Sequence, residues 1–127
     1  VRLYPSLCFF EASNISIGRG TDFPFQVTGH NTQHIGNFQF TPVSKPHAAM
    51  YPKLMNTLLT GSDLRNSKIE GLDLRLFIKY FELFSASNEE FYQSKSFMDK
   101  LAGTDSLRKS IEAGMTFEEI RKTWQSD

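Results

Sequence analysis

With a single cysteine, Cys8, the chain has no intrachain disulfide and no CxxC metal pair. Set among Leu7, Phe9 and Phe10, this thiol reads as a small buried hydrophobe. An excess of one charge is also missing. Fourteen basic residues balance fourteen acidic ones, and no run of Lys or Arg is longer than two. No long-range field therefore draws in nucleic acid or an anionic membrane, and neither is expected as a partner. No apolar stretch approaches the roughly 20 residues of a membrane span, so none is expected. GxGxxG and GxxxxGK motifs are missing, which leaves nucleotide binding without support. GxSxG is missing too, and with it the nucleophile elbow of a serine hydrolase. His30 and His34 fall in a segment that reads as loop, and His47 lies between Pro46 and Ala48. All three are expected at the surface, because a metal site needs three or four convergent ligands. No metal and no cofactor is expected.

What the chain does have is aromatic bulk. Twelve phenylalanines and four tyrosines in 127 residues are enough for a real core. The length suits one domain, taken as residues 1–127. The opening "VRLYPS" has no initiator Met, and the expectation is a piece of a longer protein.

The two halves differ in texture. Residues 1–66 are rich in Gly, Pro, Asn, Thr and Phe. Within them "FPFQVTG" (23–29) and "NFQFTPV" (37–43) alternate apolar and polar residues and read as strands, paired as a hairpin or as near neighbours. Pro24 and Pro42 belong at strand ends or edges. "KLMNTLLTGSDL" fits a helical turn or a strand equally well. Residues 71–127 read as helical. Leu72, Leu76, Phe77, Tyr80, Phe81 and Phe84 form a broad apolar stripe at helical spacing. Thr104 or Asp105 caps a helix that stops at Gly114, and Thr116 with Glu119 has the spacing of a capping box. Phe117, Ile120 and Trp124 then face inward. The fold class expected is α+β, with short antiparallel strands in the N-terminal half packed against C-terminal helices.

The stretch "FFEASNISIGRGTDFPF" (9–25) concentrates directional polar groups between phenylalanines. Glu11 accepts hydrogen bonds, Asn14 both gives and accepts, and Arg19 offers a planar fork of donors. Ser16 and Thr21 add hydroxyls, while Gly18 and Gly20 allow backbone angles closed to other residues. Such a set suits a sugar, whose hydroxyls point in fixed directions. An acidic sugar adds a carboxylate that Arg19 would grip. The expectation is that these tips converge on one pocket, while the flanking Phe9, Phe10, Phe23 and Phe25 either anchor the loop or offer one ring to a sugar face. The alternative is ordinary turn chemistry, with Arg19 paired to Glu11 or Asp22 merely to hold a loop.

"YPSLCFFEASNISIGRGTDFPFQVTG" resembles the YPxxxxFExTNxSxGRGTxxPFxxxG pattern of the NamZ family of bacterial exo-β-N-acetylmuramidases. "FTPVSKPHAAMYPKLMNTLLTGSDLR" and "FMDKLAGTDSLRKSIEAGMTFEEIRKTWQSD" are similar to two later blocks of that family, in the same order. Together the three blocks span nearly the whole chain. The resemblance implies the C-terminal domain of a longer protein whose N-terminal domain is Rossmann-like, with a sugar cleft between the two. It implies a parent enzyme of the cell envelope, periplasmic or extracellular. That enzyme releases terminal N-acetylmuramic acid from muramic-acid-containing peptidoglycan fragments. Carried onto this chain, it gives Glu11 a catalytic or substrate-contact role and Arg19 the lactyl carboxylate or loop order. Asn14, Ser16, Gly20 and Thr21 then line the substrate. Ala12, Ser13, Ile17, Ser62 and Leu58 depart from the family's common residues. Ile17 replaces a frequent Glu, which implies the loss of one potential sugar contact.

Overall fold

A computed structural model describes residues 2–69 and 71–125. Ser126 and Asp127, which end the third block, lie outside the described residues. The chain opens on a helical turn, α1 (Tyr4–Leu7), that tightens into a 3-10 turn over Cys8–Ala12. Pro5 sits in the first turn of α1, where its missing N–H costs nothing. Three strands follow: β1 (Val27–His30), β2 (Phe38–Phe40) and β3 (Leu59–Asp63). Four helices complete the order: α2 (Arg75–Ala86), α3 (Lys95–Ala102), α4 (Ser106–Glu112) and α5 (Phe117–Gln125). The class is α+β, as the sequence pattern indicates.

Sheet order departs from the expected pairing. β3 lies between β1 and β2 and runs antiparallel to both, with Gly29 opposite Gly61 and Phe40 opposite Leu59. β1 and β2 are therefore not a hairpin. The undecided segment "KLMNTLLTGSDL" supplies the central strand. The first strand also starts later than its alternation implies, because Phe25 takes φ 60° and turns the chain after Pro24.

α2 lays Phe77, Tyr80 and Phe84 into the core, all essentially inaccessible. Phe77 meets Phe10 and Phe91, each with centroids 5.0 Å apart, and Tyr80 meets Phe10 edge-on at 5.7 Å. Each buried ring contributes about 1.5–3 kcal/mol. The buried Tyr80 hydroxyl is matched by Thr28 Oγ1 on β1, at 3.1 Å, which joins helix to sheet. Leu72 breaks the expected stripe: it precedes α2 and is exposed, the helix beginning only after Asp73 accepts from the Arg75 N–H.

Helix boundaries follow local chemistry. The Thr116 hydroxyl accepts from Glu119 N at 3.1 Å, and Glu119 Oε1 accepts from Thr116 N at 2.9 Å, a reciprocal capping box. Thr104 rather than Asp105 receives the Ser106 N–H, and Gly114 adopts φ 86° after α4. Phe117 and Ile120 are buried as expected. Trp124 is 44% exposed, its ring edge-on to Phe117 at 6.3 Å. α3 is held by Ser94, whose hydroxyl accepts from Phe97 N at 3.1 Å.

Candidate functional site

The polar stretch is stitched down on two sides. Ser16 and Gly29 exchange both backbone hydrogen bonds at 2.9 Å, which fastens it to β1. On the other side Asn14 N donates to Phe91 O at 2.9 Å and Gln93 N to Ala12 O at 2.8 Å. Ile15 and Ile17 point into the core and Ser16 is buried between them, so of residues 11–20 Glu11, Asn14 and Arg19 keep exposed surface. Position 17 is 2% exposed. In this chain it faces the interior, so the sugar contact implied for an acid there does not arise from this backbone.

Gly18 and Gly20, at φ 90° and 84°, bracket Arg19. Both are hemmed in. A Cβ on Gly18 would lie 2.5 Å from Phe23 O, and one on Gly20 would lie 2.6 Å from Val43 O and 2.7 Å from Pro52 Cγ. Neither position accepts another residue without backbone movement. The turn so formed delivers Arg19 back across the 3-10 turn, where its Nε and Nη2 both reach Glu11 Oε1, at 2.7 and 2.6 Å. The guanidinium also lies over the Phe25 ring, 4.9 Å from its centroid. Among the described residues no hydrogen bond engages Glu11 Oε2 or Arg19 Nη1. Both groups therefore keep polar capacity, and both residues line an open hollow of about 390 Å³, with Ala49, Met50, Tyr51, Pro52, Lys53 and Gln93.

The other expected site residues part company here. Ser16 is buried, its hydroxyl accepting from Gly18 N at 3.2 Å. Thr21 Oγ1 donates to Gly18 O at 2.6 Å and accepts from Phe23 N at 2.9 Å, which shapes the turn. Gly20 is buried beneath Pro52. Asn14 donates through Nδ2 to Glu90 O at 2.9 Å and lines a different hollow, of about 370 Å³, with His30, Thr32 and Glu89. So Glu11 and Arg19 converge, and Asn14, Ser16 and Thr21 do not join them. Asp22 pairs instead with Lys45, at 3.2 Å.

Lys53 was not anticipated. Its Nζ donates to three carbonyls, Phe10 O at 3.1 Å, Ser13 O at 2.5 Å and Ile15 O at 3.0 Å. An ammonium has three N–H bonds, and all three are used. Burial pushes its pKa down to about 8, with Glu11 pulling it up and Arg19 pressing the same way as burial. The three carbonyls converge where the 3-10 turn ends and the chain extends, and their partial negative charge there suits a cation. No local pattern reveals it, because Lys53 and its acceptors lie 38 to 43 positions apart.

His30 is a correction. It is 7% exposed on β1 and is not a surface residue. Nδ1 accepts from Thr32 N at 3.2 Å and Gln33 N at 3.0 Å, and the ring meets Phe84 edge-on at 4.9 Å. Burial lowers its pKa, with Glu89 opposing and His34 reinforcing. His34 and His47 are exposed as expected, and Cys8 is half-buried, less sealed than expected. Among the described residues no group of three or more His, Cys, Asp or Glu side chains is placed to hold a metal ion.

Fold and site together define a small α+β domain with a polar, arginine-centred hollow walled by a pinned loop. The family model described as exo-β-N-acetylmuramidase NamZ, C-terminal, matches residues 2–127, and the chain belongs to that family. It is 29% identical to the peptidoglycan β-N-acetylmuramidase NamZ of Bacillus subtilis strain 168, over 97% of this chain and 33% of that protein. The crystal structure of a DUF1343 family protein from Bacteroides fragilis superposes with a TM-score of 0.84 at 38% identity, over 98% of this chain and 36% of that one. The chain thus spans about a third of the length of either relative.

Proposed function

We propose that this chain is the carboxy-terminal part of a peptidoglycan-acting glycosidase, and that the Glu11–Arg19 hollow receives the acidic sugar of cell-wall fragments. One observation carries the reading. The loop that presents Glu11 and Arg19 is glycine-bracketed, tied by Lys53 and fastened to β1, yet it leaves Glu11 Oε2 and the Nη1 side of Arg19 unspent. A structural ion pair needs no such rigid presentation. The open edge of the guanidinium suits a carboxylate such as a lactyl group, and Oε2 suits a sugar hydroxyl. The activity named for the Bacillus subtilis relative agrees with this ligand class.

Glycoside hydrolysis needs a proton donor for the leaving oxygen and a base or nucleophile. Among the described residues Glu11 is the one carboxylate lining this hollow. As the partner of a guanidinium it accepts hydrogen bonds well, so its role is to hold substrate and support the acid–base chemistry. The remaining groups come from the rest of the parent protein, whose N-terminal domain closes the other side of the cleft. The parent acts in the cell envelope, periplasmic or extracellular, and the 127 residues alone are inactive because half a cleft neither positions two catalytic groups nor excludes water.

The test uses the full-length parent and a chromogenic N-acetylmuramide. Arg19→Ala raises KM and Glu11→Gln lowers kcat, by about 100-fold if Glu11 assists proton transfer. A Glu11→Gln enzyme with weakened binding and unchanged kcat identifies a sugar-binding hollow without catalytic part. Unchanged kinetics in both variants overturns the reading.

A further inference from the structure

The segment that crosses the motif loop is held at both ends of a short span. Lys45 and Ala49 exchange two backbone hydrogen bonds at 2.8 Å. Pro52 is buried against Gly20, and Lys53 is threaded onto the three carbonyls. Between these anchors Tyr51 points outward, 82% exposed, beside the half-exposed Met50. A solitary exposed apolar side chain needs no explanation. Here two adjacent ones line the same hollow as Glu11 and Arg19, on a backbone held immediately on the C-terminal side of Tyr51.

The loop's own phenylalanines are spent elsewhere. Phe9 and Phe10 are in the core. Phe23 is covered by the Arg65 guanidinium at 4.0 Å, and Phe25 by Arg19 at 4.9 Å and Tyr4 at 5.1 Å. Of the two uses expected of the flanking phenylalanines these contacts favour anchoring, and among the described residues Tyr51 is the aromatic side chain that lines the hollow. A pyranose has a polar rim and an apolar face of C–H bonds, and those C–H groups match the electron-rich face of an aromatic ring.

We infer that Tyr51 is the stacking platform of the hollow, taking the apolar face of an N-acetylated pyranose while Glu11 and Arg19 take its polar rim. This rests on the proposed sugar-binding reading and adds a residue that no local motif marks.

The test is a titration of the 127-residue chain with N-acetylmuramic acid and with N-acetylglucosamine, followed by 1H–15N NMR. Tyr51 is exposed, so its variants keep the fold, checked by unchanged resonances away from the hollow. Tyr51→Ala weakens both sugars by about 3- to 10-fold, the range of an aromatic face contact. Tyr51→Phe and Tyr51→Trp bind like the parent chain. If Tyr51→Ala binds as tightly while resonances of Glu11 and Arg19 still shift, the platform is overturned and the hollow stands. If Tyr51→Phe loses as much as Tyr51→Ala, the hydroxyl is the contact and stacking is overturned. If neither sugar shifts the unsubstituted chain, the same titration is made with the full-length parent, and no binding there ends the sugar-binding reading and this inference with it.

Discussion

Gly18 and Gly20 of the motif half and Gly103 and Gly114 of the helical half have similar backbone angles and very different surroundings. Gly18 at φ 90° would push a Cβ to within 2.5 Å of Phe23 O, whereas Gly114 at φ 86° has nothing within 4 Å of that position. The helical half uses glycine to stop a helix in open space. The motif half uses it to bring backbone segments closer than any side chain permits. One half is specified by local rules and tolerates change, while the other is specified by long-range fits around a polar loop.

Substitutions sharpen that contrast. Gly18→Ala combines backbone strain with a main-chain clash and is expected to cost about 3 kcal/mol. Gly114→Ala meets only the left-handed penalty of about 1 kcal/mol. Urea unfolding of the two variants measures the gap directly, and equal losses would erase the contrast. Lys53→Met keeps the stem and removes the ammonium, leaving the carbonyls of Phe10, Ser13 and Ile15 without their shared donor. About 2–3 kcal/mol is expected, together with faster amide exchange in residues 10–20. On the helical side Thr116→Ala removes one arm of the capping box and costs about 1 kcal/mol, read as a lower thermal midpoint with the exchange of residues 10–20 unaltered. Arg19→Ala deletes a partly exposed ion pair and changes stability by about 1 kcal/mol or less.

Acid gives the smallest effect and again falls on the motif side. Burial lowers the pKa of His30 below its ordinary 6.5. Between that value and its lower folded value the unfolded chain binds a proton that the folded chain refuses. Stability therefore falls as pH drops below about 6.5 and levels off once the folded imidazole also titrates. Chemical denaturation from pH 7 to 5 shows this slope, and His30→Gln removes its share of it.

The same division explains what the sequence discloses. Thr116 with Glu119, Gly114 and the Phe77–Phe84 stripe act over a few residues, so their spacing reveals them. α3 falls within the span read as helical, but its start is set by Ser94 alone, a cap without the Glu partner that marks Thr116. The position of β3 between β1 and β2 is a tertiary fact with no local signature. At the site, Glu11 and Arg19 are legible because they sit eight positions apart on one turn. Asn14, Ser16 and Thr21 carry suitable chemistry, but their partners turn them to another hollow or into the loop itself. Lys53 and Tyr51 arrive from a strap 30 or more positions away, and composition alone marks neither.

The central claim is that the open edge of Arg19 reads the carboxylate of an acidic sugar. Isothermal titration of the chain and of Arg19→Ala with N-acetylmuramic acid and N-acetylglucosamine tests it most directly. The unsubstituted chain is expected to bind the acidic sugar more tightly, and Arg19→Ala to lose that preference with the neutral sugar little affected. An undiminished preference for the acidic sugar in Arg19→Ala would contradict it.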